Sequence, residues 1–396
     1  MEVPKYNMDT SHIYTKKKNE NKGINFTVNI ARIIVGVLFI FSGLVKANDP
    51  AGLSYKMQEF FDVWGRNAPL HSFMNWLNDY ALVFSVIMIT LEIIVGIALL
   101  LAWRIRFISW LLLLLIIFFT FLTSFAVFSG KIRTCGCFGD CIPLTAMQSF
   151  LKDLVLLLLT LLIFFLYKRI KPIFDPLVNF LVVVIAIAVV LGFQWYVLRH
   201  MPIKDCLPFK TGNNLLELRK MPADAVPTKM SFSFIYSKNG KEQQFDQNHL
   251  PDSTWKFERR NDVILDQGKN NEPPIKDFIL NTLSGADSTE AVLNEPGDYY
   301  LFFIKDVENG TDHWLSKFTN LYTYSKTKQR PVYIIASQAS EANEFFNKTN
   351  NYGLQVLSCD VTALKTAART NPCLYLMHGP VVIHKWGWAD LPKALE

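Results

Sequence analysis

Three cysteines fall within seven residues in Cys135-Gly136-Cys137-Phe138-Gly139-Asp140-Cys141, a short polar loop between two long apolar runs. Cytosolic proteins rarely gather thiols without a metal or redox reason. In an oxidising compartment such a loop can run thiol–disulfide exchange. A thiolate attacks a disulfide, and a second thiol resolves the mixed intermediate. Cys135 and Cys137 would attack and resolve, and Cys141 is a third thiol that can also resolve. A Cys-Gly-Cys pair closes a very small ring, whose disulfide is expected to be strained and easily reduced. Gly136 and Gly139 supply the backbone freedom. Lys131, Arg133 and Lys152 offer positive potential that favours thiolate.

Two other uses of the same cysteines stay open. The loop can be stapled, Cys135 or Cys137 to Cys141. Cys206, just past the last apolar run, can resolve an exchange or pair with one of the three and dock the C-terminal part. A metal is the least favoured use, because no His lies near and four well-spaced ligands are lacking.

Charges inside apolar runs are the second chemical signal. Glu92 lies mid-run, where a carboxyl is costly and marks a functional or paired site. Arg32 and Lys46 are two heptads apart, on nearly one helix face. Lys46 is placed with Lys152 and Asp153, so a polar cluster beneath the cysteine loop is expected. It can serve protons or a small ligand, a quinone being the candidate cofactor. Interhelical pairing without any ligand is the bland alternative.

These residues need a membrane to position them. Five apolar runs of spanning length are read at about 26–45, 80–103, 107–128, 147–167 and 177–198. In lipid each must be a helix, so that its backbone polar groups are satisfied internally. Lys16, Lys17, Lys18 and Lys22 precede the first run. Arg104 and Arg106 follow the second, and Lys168, Arg169 and Lys171 follow the fourth. The alternation puts these three sites on one side, the cytoplasm by the positive-inside rule. The cysteine loop and everything after His200 then face outward. A bacterial inner-membrane protein with a cytoplasmic N-terminus is expected. No cleavable signal peptide is evident, so the first run reads as an anchor. Gly52–Asp79 mixes aromatics with polar residues, as amphipathic helices at the outer interface or a loop capping the bundle.

The net charge of +6 has no basic stripe behind it, which excludes nucleic acid as a partner. Membrane lipid and an extracytoplasmic client protein are the partners expected. No phosphate loop, Gly-x-Ser-x-Gly or His-Glu-x-x-His is present. Residues 1–25 read as a cytoplasmic tail, 26–200 as the membrane domain, 201–229 as a linker and 230–396 as a soluble domain. In the soluble domain Asn239-Gly240 signals a hairpin between Met230–Tyr236 and Gln243–Phe245. Strands and helices then alternate from Tyr299, ending in a strand pair about His378-Gly379-Pro380, an α/β layer.

The membrane part resembles the DoxX-like family and its methylamine-utilisation MauE-type relatives. Arg32-Ile33-Ile34-Val35-Gly36, Phe39 to Lys46, Glu92, Gly96 and Cys135-Gly136-Cys137-Phe138-Gly139 carry the resemblance. It implies an α-helical membrane bundle, a DoxX-like four-helix bundle plus a fifth span. The tail resembles a soluble α/β thioredoxin-like domain, through its element order and Asn371-Pro372 at that fold's cis-proline place. The whole resembles a Bacteroidetes group of DoxX proteins with such tails. The dithiol of that fold would fall at about 307–314, where no cysteine stands. Cys359 and Cys373 lie in or beside strands and read as core filling. Two functions follow as expectations. One is a membrane thiol–disulfide oxidoreductase acting through the loop. The other is a non-catalytic envelope scaffold with structural disulfides and a protein-binding tail.

Overall fold

The computed structural model describes residues 11–395, apart from 67, 133–135, 137, 138, 228, 239, 247, 267, 269, 308 and 309. Cys135, Cys137 and Arg133 therefore lie outside the described residues. The first helices are α1 (Ser11–Ala47), α2 (Pro50–Trp64), α3 (His71–Asp79), α4 (Ala81–Leu101), α5 (Ile105–Ser129), α6 (Ala146–Leu166) and α7 (Pro176–His200). Among the described residues, five helical stretches are long and apolar enough to cross a bilayer: Lys22–Ala47, Ala81–Leu101, Ile105–Ser129, Ala146–Arg169 and Pro176–His200. Each expected apolar run coincides with one of them, the second ending two residues earlier than expected because Ala102 turns left-handed, as in a multi-pass membrane protein.

The buried face of α1 runs Val28, Arg32, Val35, Phe39, Ser42 and Lys46, in alternating steps of four and three. Ile33, Val37, Phe41 and Leu44 on its other sides are exposed, as lipid-facing residues are. Small residues let α1 and α4 approach closely. A Cβ on Gly96 would lie 2.9 Å from the Gly36 carbonyl oxygen, and one on Gly43 2.4 Å from Ile93 Cγ1. At one end of the bundle Arg169 reaches Asn25 and the Ile173 N–H donates to the Leu101 carbonyl. At the other end Asn48 Nδ2 donates to the Lys204 carbonyl at 2.8 Å. That second end carries α2, α3, the cysteine loop and the soluble body.

Helix α2 begins at Asp49-Pro50, where the Asp49 carboxylate accepts the Gly52 N–H at 2.9 Å and Pro50 fills the first turn. It packs on α4, where Ser85 Oγ donates to the Pro50 carbonyl. Phe60 and Trp64 stack near Phe125 of α5. The 52–79 stretch thus forms two helices at the bundle end, and α3 leaves Phe73 and Trp76 exposed.

The soluble body has two sheets. β1 (Lys229–Lys238), β2 (Lys241–Asp246) and β3 (Lys256–Asp266) form an antiparallel sheet in the order β2-β1-β3. Lys238 pairs with Lys241 across a two-residue turn, with Gly240 at φ 77°. β3 was not expected from its polar sequence. The second sheet takes β4 (Asp298–Ile304), β5 (Val332–Ala336), β6 (Gln355–Ser358), β7 (Cys373–His378) and β8 (Val381–Gly387), in the order β6-β5-β4-β7-β8. β4, β5 and β6 are mutually parallel, β7 is antiparallel to β4, and β8 is antiparallel to β7. Its helices are α8 (Leu215–Leu218), α9 (Thr289–Leu293), α10 (Thr311–Thr327), α11 (Ala339–Asn343) and α12 (Val361–Ala367). β4 is buried on both faces, which explains its unbroken apolar run. Tyr299, Leu301 and Phe303 pack on one side, Tyr300, Phe302 and Ile304 on the other with Trp314 and Phe318. Asn371-Pro372 is cis and precedes β7. Within 201–229, Phe209 and Leu215 are buried in the core of this body, so that stretch is part of the packed unit.

Gly96→Val is expected to force α1 from α4, because the clash is with backbone. Overpacking of this kind costs roughly 1–3 kcal/mol. A lowered thermal midpoint in detergent checks it, with Gly192→Val, where nothing lies within 4 Å, left unchanged.

Candidate functional site

The cysteine loop is anchored at both ends. Gly130 at φ 61° closes α5, and a Thr145–Gln148 capping box opens α6. Inside it the Gly139 N–H donates to the Gly136 carbonyl at 3.0 Å. A Cβ on Gly136 would meet Lys56 of α2 at 3.1 Å, and one on Gly139 would meet Val45 of α1 at 3.6 Å. The loop therefore rests on the end of α1 and the flank of α2.

Cys141 is disulfide-bonded to Cys206, 65 residues further along the chain. This joins the α5–α6 loop to the segment leaving α7. Beside it Arg369, from the end of α12, is only 6% exposed. Its Nε donates to Asp49 at 2.7 Å, an Nη donates to Asp140 at 2.6 Å, and the other Nη donates to the Lys365 carbonyl. Burial opposes the guanidinium charge, and Asp49 and Asp140 outweigh it, so its pKa is raised. Three cations converge on Tyr55 of α2: Lys305, Lys365 and Arg369 lie 5.5, 5.2 and 5.5 Å from the ring centroid. Lys305 Nζ also donates to the Tyr55 hydroxyl at 2.8 Å. Two further pairs fix the body to α7 and its exit: His200 with Asp390 at 2.9 Å and Lys385 with Asp205 at 2.5 Å.

Below the loop Lys46 Nζ donates to Glu92 Oε2 at 2.6 Å, with the two side chains only 4% and 5% exposed. Lys46 also lies 4.9 Å from the Phe119 ring centroid. Asp153 is fully buried between Lys152 Nζ at 2.7 Å and the Thr123 hydroxyl at 3.1 Å. All of Lys46, Glu92, Lys152 and Asp153 line one cavity of about 20 Å³. A neighbouring cavity of about 40 Å³ runs from Lys46 and Glu92 to Lys56 and Gly136 of the loop. Such volumes hold one or two waters.

The structure thus brings together Lys46, Glu92, Lys152 and Asp153 beneath the loop, and Cys141 with Cys206 beside it. Arg32 does not join them. It sits about 21 Å along α1 from Lys46 by helix rise. Its Nε and Nη1 are buried without a hydrogen-bond partner among the described residues. Lys152 turns to Asp153. Cys359 and Cys373 are buried, and burial pushes their thiols up to about 12 and about 11. Thr123, Asp49, Asp140, Tyr55 and Arg369 were not singled out from sequence. Only Asp49-Pro50 had a legible signal there, as a helix start.

Among the described residues, no group of three or more His, Cys, Asp or Glu is placed to hold a metal ion. Residues 24–166, spanning most of α1 through α6, match the family model described as methylamine utilisation protein MauE. Residues 230–267, which make up the three-stranded sheet, match a domain of unknown function, DUF8463. No curated protein and no solved structure matches the chain.

Removing one partner of a buried pair strands the other charge, which costs about 3–5 kcal/mol. Glu92→Leu is expected to destabilise by that much, and Lys46→Met with Glu92→Leu to recover most of it. Unfolding of the detergent-solubilised protein measures both. Arg369→Leu with Cys206→Ala is expected to loosen the soluble body. Faster hydrogen exchange in α12 and quicker trypsin cleavage near Lys204 would report it.

Proposed function

We propose that the chain is a membrane thiol–disulfide redox protein whose exchange site is the cysteine loop. The loop and soluble body face the extracytoplasmic side of a bacterial inner membrane, as the positive charges at the opposite end of the bundle suggest. The observation that carries this reading is the buried Lys46–Glu92 pair, joined by a small cavity to Gly136 of the loop. A charged pair so deep marks a functional place in a membrane helix.

The reaction is an exchange between the Cys135–Cys137 disulfide and a dithiol on an extracytoplasmic client protein. One client thiolate attacks a loop sulfur, so that a client–loop disulfide forms as the loop disulfide breaks. The second client thiolate then displaces the loop sulfur and closes the client's disulfide. Two electrons pass to the loop, whose sulfurs end as thiols, and the client gives up two protons. Glu92 and water in the cavity relay protons to that end of the bundle. Cys141–Cys206 and the Arg369 bracket hold the soluble body over the loop. That body, read as thioredoxin-like without its own dithiol, positions the client. A lipid-soluble two-electron acceptor re-forms the loop disulfide. The cavities beside Glu92 are of a size for one or two waters and not for a quinone ring, so a quinone acceptor would meet the loop outside them.

The same Cys141–Cys206 link favours a second reading. A body stapled to the bundle also suits a non-catalytic envelope scaffold with structural disulfides.

Mass-tagged alkylation of membrane thiols, with and without prior reduction, separates the two. The redox reading expects a mixture of loop oxidation states, and a Cys137→Ser variant that has no loop disulfide to offer and so loses function. A fully oxidised set that never forms mixed disulfides, with Cys137→Ser functioning as wild type, leaves the scaffold.

A further inference from the structure

Where the soluble body meets the bundle, α2 and α12 leave a cleft of about 340 Å³ between them. That is the size range of small-molecule sites, and far larger than the cavities below the loop. Asp140 lies at its wall, one residue from the Cys141–Cys206 disulfide. Most charges around it are matched. Lys56 pairs with Glu59 at 2.8 Å, and Arg369 with Asp49 and Asp140. Two are not. Lys365 Nζ donates only to the neutral Gln58 amide oxygen at 2.9 Å. Asp62 accepts only from the neutral Asn78 amide at 2.6 Å. Neither has an ionic partner among the described residues. One ammonium and one carboxylate, on opposite helices, thus face the same space.

An uncharged or singly charged guest would leave one of these groups without a counter-charge. A guest bearing both charges answers both. We infer that the cleft binds a small amphoteric thiol or disulfide, an amino acid or short peptide with a free ammonium and a free carboxylate. Lys365 takes the carboxylate and Asp62 the ammonium. Thr362 and Thr366, one helical turn apart on α12, line the same cleft. The sulfur in the guest rests on the redox reading of the loop. The charge complementarity stands without it.

S-methylglutathione tests the site apart from the chemistry, because it carries both charges and cannot exchange. Titrated calorimetrically into the full-length protein in nanodiscs, it is expected to bind saturably. Lys365→Gln and Asp62→Asn should each weaken binding about tenfold, the loss of one charged hydrogen bond, and Asp62→Asn should do so with the thermal midpoint unchanged. S-methylglutathione blocked at its amine should lose the Asp62 dependence only. Such binding in a protein whose loop never exchanges would keep the site and remove the redox reading. No saturable heat at millimolar ligand, or binding equally tight in both variants, overturns the site.

Discussion

Arg369 is the interaction on which the arrangement turns. Its guanidinium is buried where three parts of the chain meet: the N-terminal end of α2 through Asp49, the cysteine loop through Asp140, and α12 through the Lys365 carbonyl. A planar group with five donors can satisfy three acceptors at fixed angles, which an ammonium cannot do with the same geometry. Asp49 is shared, because it also caps α2 by accepting the Gly52 N–H. A Cβ at Gly52 would lie 2.5 Å from Asp49 Oδ2 and 3.2 Å from an Arg369 Nη, so glycine there keeps the bracket closed. The helix start, the loop position and the docking of the soluble body are therefore one electrostatic unit. The Cys141–Cys206 disulfide lies one residue from Asp140 and ties the same loop covalently to the segment leaving α7.

A second constraint acts inside the bundle. Charges in a low-dielectric interior are tolerated when each has a partner. Lys46 finds Glu92, and Asp153 finds Lys152 and Thr123. These pairs hold α1 to α4 and α6 to α5 just below the loop, where close-packed glycines already bring α1 and α4 together. The polar cluster thus rests on the same helix contacts that set the bundle. Its position under the loop follows from the 3.6-residue period and needs no added device.

Much of this was legible in the sequence, and what was not has a physical reason. The spanning helices follow from apolar runs that have no other stable form in lipid. Lys46 and Glu92 stood out because charge in such a run is costly. Asn239-Gly240 was a legible turn signal, and Gly240 takes the positive φ that glycine allows. The Arg369 bracket was hidden, since its partners are 320 and 229 residues away and no local pattern links them. β3 was hidden because Lys256–Asp266 is a polar sequence. Its pairing is supported across β1 instead, through Phe257 against Phe234 and Tyr236 and through Arg259 reaching Glu242. The role of 201–229 was hidden for a related reason. Its core residues Met201, Phe209 and Leu215 follow no strand or helix period, and only the tertiary fold shows that they are buried.

The carboxyl ends of parallel strands in an α/β sheet commonly carry a binding surface. Here that end of β4 points at the bundle. Lys305, the residue after β4, donates to Tyr55 of α2, and its backbone N–H donates to Asn371 before β7. The face is therefore taken up by the protein's own membrane part. What stays open is the cleft alongside it, between the exposed flanks of α2 and α12. The cleft has two walls, one on α2 of the bundle and one on α12 of the docked body. Their spacing is held by Arg369 and the disulfide together.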